Sequence, residues 1–212
     1  MTDYSDKIKK IKESNSKTFI KFDYQQNQIE LKLVDKSNET ALLITNWRKK
    51  YRIMFLTDFT MTEENTKKWI ENIICNDNRI LFMIYLNGEK VGTIGTNDYE
   101  SDQNCAQLDC LMKKPTCSVP WLIPIVEIAY LKWMFEYLGL SMIKGILFMD
   151  NFPSLNLHLN CGFKIVKKIP VEKIILKSSS MWKEIKNKDM KPKRYLGEIN
   201  IVKKDLLTFE EI

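Results

Sequence analysis

Apolar and polar residues alternate in two runs near the N-terminus, residues 18–24 and 28–34, on either side of a short polar turn. A period of two is typical of strands that bury one face, so the pair predicts a β-hairpin. Residues 37–51 and 62–76 instead place apolar side chains three or four positions apart, the spacing of an amphipathic helix. Thr62, which precedes two acidic residues, is the predicted N-cap of the second helix.

Strand patterns return after residue 78. Residues 79–86 and 90–99 flank Asn87 and Gly88, a strong hairpin signal, and residues 105–113 predict a third strand. Residues 121–140 are nearly all apolar, which indicates a helix buried on most sides, with Pro124 in its first turn and Gly139 as its C-terminal cap.

The last third of the chain alternates between the two patterns. It predicts a strand at 141–149, a short helix at 153–160 and late strands at 162–174 and 193–202, with 175–192 as a loop. One strand–helix–strand crossover among antiparallel strands implies an α/β (α+β mixed) fold. We expect a twisted, mostly antiparallel mixed sheet of about seven strands, flanked by helices on both faces.

Residues 1–16 are polar and rich in lysine, and predict either a helix or a loose arm. We therefore divide the chain into a polar N-terminal extension with the first hairpin strand, residues 1–27, and a single domain over 28–212.

Composition narrows the classes of function. A hydrophobic content of 44% with 28% charged residues is typical of a globular protein, and no apolar run is long enough to span a membrane. The five cysteines form no Cys-x-x-Cys motif and the N-terminus has no apolar signal core, so we expect reduced thiols in the cytoplasm.

With one histidine, a metal site has almost no candidate ligands. The net charge of +6 suits an anionic small molecule, and no nucleic-acid-binding motif accompanies it.

Four segments in order, "NWRKKY", "LFMIYLNGEKVGTIG", "LDCLMKK…WLIPIVEIAYLKWMFEYLGL" and "DNFPSLNLHLNCGF", resemble the GNAT superfamily of N-acetyltransferases over residues 28–163. The resemblance implies a GNAT-like, acetyltransferase-like domain that moves an acetyl group from acetyl-CoA, its co-substrate, to a primary amine. It leans toward small-molecule acceptors, namely amino sugars with or without a linked nucleotide, and toward a monomer or homodimer. The alternatives are an acetyltransferase of protein N-termini or ribosomal proteins, and a GNAT-fold binding module that has lost catalysis.

The loop "KKPTCSVPW" departs from the family, which usually has glycines there so that backbone amides can hold the CoA pyrophosphate. Pro115 and Pro120 remove two amide donors. Lys113, Lys114 and Ser118 are the residues expected to bind the cofactor in this loop. The favoured interpretation is a degenerate loop that still binds CoA, and the alternative is a lost site.

The resemblance also assigns the reacting end of the cofactor. Oxyanion and pantetheine contacts fall to the backbone around Cys110, Leu111 and Met112. Asn151 is expected to bind a pantetheine amide, although it is equally suited to cap the turn before Pro153. Ser154 and His158 are four residues apart on one helical face. His158 stands seven residues after Asn151, where many family members have a tyrosine acid facing the thiol. The alternative for His158 is a surface or structural histidine.

Candidates on the acceptor side are more open. Asp109 lies in the strand nearest the reaction centre and is the predicted general base, while Asp98 and Glu100 could reach the amine through water; each could equally be a solvated charge. Trp47 and Arg48 lie on the helix that lines the acceptor cleft in this family. Trp47 is as well explained by core packing, whereas Arg48 suits an anionic acceptor.

Overall fold

The computed structural model describes residues 4–14, 18–177, 179–187 and 190–208, apart from the side chain of Phe59. The helices of this part of the chain are α1 Tyr4–Glu13, α2 Asn38–Lys50, α3 Glu63–Cys75, α4 Leu122–Trp133 and α5 Phe152–Asn160. Its strands are β1 Thr18–Tyr24, β2 Asn27–Leu33, β3 Thr57–Phe59, β4 Ile80–Leu86, β5 Glu89–Glu100, β6 Cys105–Lys113, β7 Met142–Phe148, β8 Lys164–Ile175, β9 Ser179–Glu184 and β10 Arg194–Val202. None of these helices is long and apolar enough to cross a membrane.

All the strands form a single mixed sheet in the order β1-β2-β4-β5-β6-β7-β10-β8-β9-β3. Every neighbouring pair is antiparallel except β6 and β7, which the predicted crossover through α4 makes parallel. The predicted mixed α+β fold is therefore confirmed, but the expected count of about seven strands was too low, because the described residues form ten. The prediction missed β3, whose three residues are too short for a period, and β9, which lies in the segment predicted as a loop.

Helices cover both faces of the sheet, as predicted. Along β4, Ile80, Phe82 and Ile84 pack into one apolar cluster with α1 and α4, while Leu81 and Met83 pack into a second cluster with α2 and α3. This division follows from the pleat of the strand, which sends alternate side chains to opposite faces.

The N-terminal segment forms helix α1, the first of the two alternatives. Tyr4, Ile8 and Ile11 are buried in the same cluster as α4, and the ring of Tyr4 stacks on Tyr99 with centroids 4.2 Å apart. The helix therefore contributes to the main core. The division of the chain at residue 27 stays a prediction.

Several local signals are confirmed. The Thr62 side chain accepts a hydrogen bond from the Asn65 backbone N–H at 3.1 Å, which caps α3. Asn87 and Gly88 both adopt positive φ, 50° and 84°, as a tight hairpin turn between twisted strands requires. After α4 the chain makes a π-helical turn at Met134–Leu138, and Gly139 ends it with φ 77°.

The sheet opens between β6 and β7. Their pairing begins at Cys105 with Met142 and stops at Gln107 with Lys144. Beyond that point β6 is hydrogen-bonded only to β5, and β7 only to β10. The facing edges of two central strands are thus left without a strand partner, and the candidate site lies at this opening.

Candidate active site

A cavity of about 480 Å³ occupies the opening between β6 and β7. Residues 107–111 of β6 form one wall and residues 145–147 of β7 form the other. The opening passes through the sheet. Side chains of α5 therefore reach the cavity from one face, and side chains of α2 and α3 reach it from the other. Groups from opposite faces of the protein therefore meet in one chamber.

The wall formed by β6 is interrupted by a β-bulge. Cys110 has φ 53°, and the pairing with β5 jumps from Gly95–Asp109 to Thr93–Met112, so Cys110 and Leu111 stand opposite Ile94. The Thr93 hydroxyl donates to the Cys110 carbonyl at 2.7 Å. A bulge leaves backbone groups without a ladder partner and redirects them. The bulge and the unpaired edge of β6 therefore fit an extended pantetheine chain, whose amides can bond to a strand edge.

The structure brings together many of the residues predicted for the site. Those that line the cavity are Arg48, Asp98, Asp109, Cys110, Leu111, Asn151, Ser154 and His158. The predicted residues outside its lining are Trp47, Glu100, Met112, Lys113, Lys114 and Ser118. The side chains of Trp47 and Met112 are buried in the cluster formed with α2 and α3, so only their backbones could serve a ligand.

The loop predicted to hold the pyrophosphate is a short turn ahead of α4. The Cys117 N–H donates to the Lys114 carbonyl at 2.9 Å, and the hydroxyl of Tyr51 donates to the Lys113 carbonyl at 3.0 Å. The Lys114 side chain forms an ion pair with Glu89, and Ser118 is exposed. The loop is thus held by a hydrogen bond within it and by one from Tyr51, without glycine.

His158 is buried at the cavity wall and contacts Glu127 of α4. Its Nδ1 lies 2.5 Å from Glu127 Oε1, and its ring packs edge-to-face on Phe163 with centroids 5.4 Å apart. Glu127 is completely buried. The surface-histidine alternative is therefore excluded, and His158 stands between an internal carboxylate and the cavity.

Asp109 is held by an arginine that the sequence analysis did not select. Arg79 Nη2 lies 2.6 Å from Asp109 Oδ2 and 3.8 Å from the Cys110 sulfur. Burial acts to lower the pKa of Arg79, but the neighbouring Asp109 and Cys110 outweigh it and raise that pKa. Burial, followed by the charge of Asp109, raises the pKa of the Cys110 thiol, so this sulfur stays protonated and is no nucleophile.

Arg48 reaches the cavity between aromatic rings. Its guanidinium carbon lies 4.5 Å from the ring centroid of Phe55 and 4.9 Å from that of Trp69, and Arg79 lies 5.5 Å from the same Trp69 ring. Burial lowers the pKa of Arg48, yet an arginine keeps its charge in proteins. Two guanidinium groups therefore share one aromatic wall of the chamber.

The sequence analysis missed Glu127, Arg79, Phe55 and Trp69. Glu127 had a signal, since it is the one acidic residue of the α4 sequence LIPIVEIAYLKW. Arg79 had none, because its partner Asp109 is 30 residues away and only the pairing of β4, β5 and β6 brings them together.

Comparison with known proteins agrees with this geometry. The family described as an acetyltransferase (GNAT) domain matches residues 29–164. A solved spermidine N-acetyltransferase from Vibrio cholerae, in complex with CoA and spermine, has a TM-score of 0.66 at 12% identity, over 84% of this chain and 96% of that one. RimL, an α-N-acetyltransferase of ribosomal protein L7/L12, has a TM-score of 0.64 at 13% identity, over 82% and 90%. No curated protein matches the sequence. The matched profile covers well over half of the chain, and this protein therefore belongs to the GNAT family as an acetyl-CoA-dependent N-acetyltransferase.

Proposed function

We propose that this N-acetyltransferase acts on a small-molecule primary amine that also carries an anionic group, such as an amino sugar linked to a phosphate or nucleotide. The observation that carries the proposal is the chamber itself. A single cavity joins the open edge of β6 to the arginine and aromatic wall formed by Arg48, Trp69 and Arg79. The donor and the acceptor can therefore meet at the bulge around Cys110.

On the donor side, we assign the pantetheine arm of acetyl-CoA to the edge of β6, with Asn151 and Ser154 facing it across the opening. The backbone N–H groups near Cys110 and Leu111 would stabilise the oxyanion that forms when the thioester is attacked. Lys113, Lys114 and Ser118 remain our proposed contacts for the pyrophosphate. Lys114 would then exchange its ion pair with Glu89 for a phosphate.

On the acceptor side, charge argues against a polyamine such as the one bound by the Vibrio cholerae neighbour. The charged residues on the cavity lining are Arg48, Arg79, Asp98 and Asp109, which sum to zero. Asp109 is already bonded to Arg79. A polycation would need an excess of carboxylates, whereas a molecule with both an amine and a phosphate finds partners of both signs.

Two residues are proposed for proton transfer. Arg79 holds Oδ2 of Asp109, and we assign the removal of a proton from the incoming ammonium group to Oδ1 of the same carboxylate. His158 is assigned to the leaving sulfur, where a proton must arrive when the C–S bond breaks.

A cytoplasmic location, with all five cysteines as free thiols, is part of the same proposal.

The test is a matched pair of acceptors that differ only in a phosphate, for example glucosamine and glucosamine 6-phosphate, assayed by CoA thiol release. Spermidine and a peptide with a free N-terminus complete the panel. We expect the phosphorylated acceptor to have a kcat/KM at least about tenfold higher, the effect of one charge-assisted contact.

The Arg48→Met variant should lose this preference, and Lys49→Met, at an exposed position of the same helix, should keep it. A higher rate with spermidine than with any anionic acceptor would refute the proposed acceptor class. An absence of thiol release with every acceptor, together with no thermal stabilisation by acetyl-CoA, would instead support a binding module.

A further inference from the structure

Glu127 is a carboxylate in a place where a carboxylate is costly. It is 0% exposed, it lies among the apolar residues of α4, and its Oε2 has no hydrogen-bond partner among the described residues. Burial of a charged group opposes folding unless partners compensate for the lost water. Its Oε1 forms a short hydrogen bond with His158, which lines the cavity. The contact with His158 is therefore the place to look for its role.

The short contact between these two side chains requires a proton between them. Glu127 Oε1 and His158 Nδ1 are 2.5 Å apart, a distance at which a lone pair cannot face a carboxylate. When Nδ1–H donates to the carboxylate, the other ring nitrogen, Nε2, carries the lone pair. The edge-to-face contact with Phe163 restricts rotation of the ring, so Nε2 is the atom left for reactants in the cavity.

The surroundings of the pair contain another titratable group. Cys161, at the end of α5, is fully buried beside Glu127. Burial, and next the charge of Glu127, raise the pKa of its thiol, so Cys161 stays protonated. Among these neighbours, the hydrogen-bond acceptor that faces His158 is therefore the side chain of Glu127.

We propose that Glu127 is a positioning residue that fixes His158 in the Nδ1–H form, so that Nε2 relays a proton from the acceptor nitrogen to the departing sulfur. The inference rests on the proposed function. When the amine attacks, a C–N bond forms and the nitrogen becomes positively charged. Nε2 takes a proton from that nitrogen, the C–S bond breaks, and the same proton passes to the thiolate. His158 ends as it began, and the Glu127 charge stabilises the imidazolium in between.

Because the sequence contains one histidine, the tautomer can be measured directly. Untagged protein labelled with ¹⁵N-histidine gives the two ring nitrogens of His158 alone in a two-bond ¹H–¹⁵N spectrum. We expect a protonated Nδ1 and an unprotonated Nε2 at neutral pH, and loss of that preference in Glu127→Gln. An Nε2–H tautomer in the wild-type protein, or an unchanged tautomer in Glu127→Gln, would overturn the inference.

Kinetics then separate positioning from packing. We expect His158→Gln to lower kcat about 100-fold and Glu127→Gln about tenfold, the range of a single acid–base contribution. If Glu127 acts only through His158, the double variant is no slower than His158→Gln, and KM for acetyl-CoA stays unchanged. Independent, multiplying losses would mean that Glu127 has a separate structural role and would contradict the relay.

Matched controls keep the outcomes apart. Glu136 lies in the π-helical turn that follows α4, and its exposed carboxylate pairs with Lys203. Glu136→Gln should leave kcat and the NMR spectrum unchanged. Melting curves show whether Glu127→Gln is folded; if it is not, Glu127→Asp must recover the Nδ1–H tautomer. If the wild-type protein has the Nδ1–H tautomer but shows no turnover, the proposed function is refuted and the positioning role of Glu127 is not. If Glu127→Gln leaves turnover unaltered, the relay is refuted and the proposed function is not.

Discussion

The left-handed conformation of Cys110 gives a quantitative test of how β6 prepares the site. At φ 53° an L-residue is less stable than glycine by roughly 1–2 kcal/mol, and a β-branched side chain is disfavoured further. The conformation is held by the bulge opposite Ile94 and by the hydrogen bond from Thr93. A substitution at this position therefore changes either the strain or the bulge.

We expect Cys110→Val to lower the free energy of unfolding by about 2 kcal/mol, because a branched residue must keep the strain or flatten the bulge. Cys110→Gly removes the strain but also the thiol packing, and it gives the unfolded chain more freedom. It should remain within about 1 kcal/mol of the wild-type protein. Urea unfolding followed by tryptophan fluorescence measures both values.

Binding of acetyl-CoA provides the functional half of the test. A flattened bulge moves the backbone N–H groups that we assign to the oxyanion, so Cys110→Val should show a smaller thermal shift with acetyl-CoA than Cys110→Gly. The control is Cys75→Val, at an exposed cysteine on α3. If Cys110→Val matches this control in stability and binds acetyl-CoA like the wild type, the reasoning about the bulge is refuted.

Three further predictions concern the sheet, its core and the donor side. Gly95→Ala places a Cβ about 2.4 Å from the Ile80 carbonyl oxygen and should destabilise the protein by about 2 kcal/mol in urea; a neutral result would argue against this close strand approach. Tyr130→Phe breaks a buried 2.6 Å hydrogen bond to Thr96 and should reduce the free energy of unfolding by about 1 kcal/mol. Burial raises the pKa of Tyr130 above its ordinary 10.0, so the folded state keeps a proton that the unfolded chain releases. The stability of the wild type should then fall as pH rises above 10, and fall less in Tyr130→Phe, as pH-dependent melting would show. Asn151→Ala should raise KM for acetyl-CoA about fivefold, the effect of one lost hydrogen bond, without altering the melting temperature.

Local periodicity in the sequence determined most of the elements, because burial of one face imposes a period of two on strands and about 3.6 on helices. The hairpin at Asn87 and Gly88, the Thr62 cap and the helix over α4 were all predicted on this basis. The order of these elements also predicted the parallel crossover between β6 and β7. The resemblance to a family then supplied the site region, and it led to His158 and Asn151.

Only the tertiary structure decided which side chains meet. Glu127 and His158 are 31 residues apart in sequence, and Arg79 and Asp109 are 30 apart, so no local pattern joins either pair. The strand β9 was missed because it joins the sheet by pairing with β8 and with β3, and β3 lies far from it in sequence and is too short to carry a period. The bulge at Cys110 likewise depends on the register with β5. The candidate site therefore depends on contacts between residues that are distant in sequence and that the folded sheet and helices bring together. No short stretch of sequence contains both partners of such a contact.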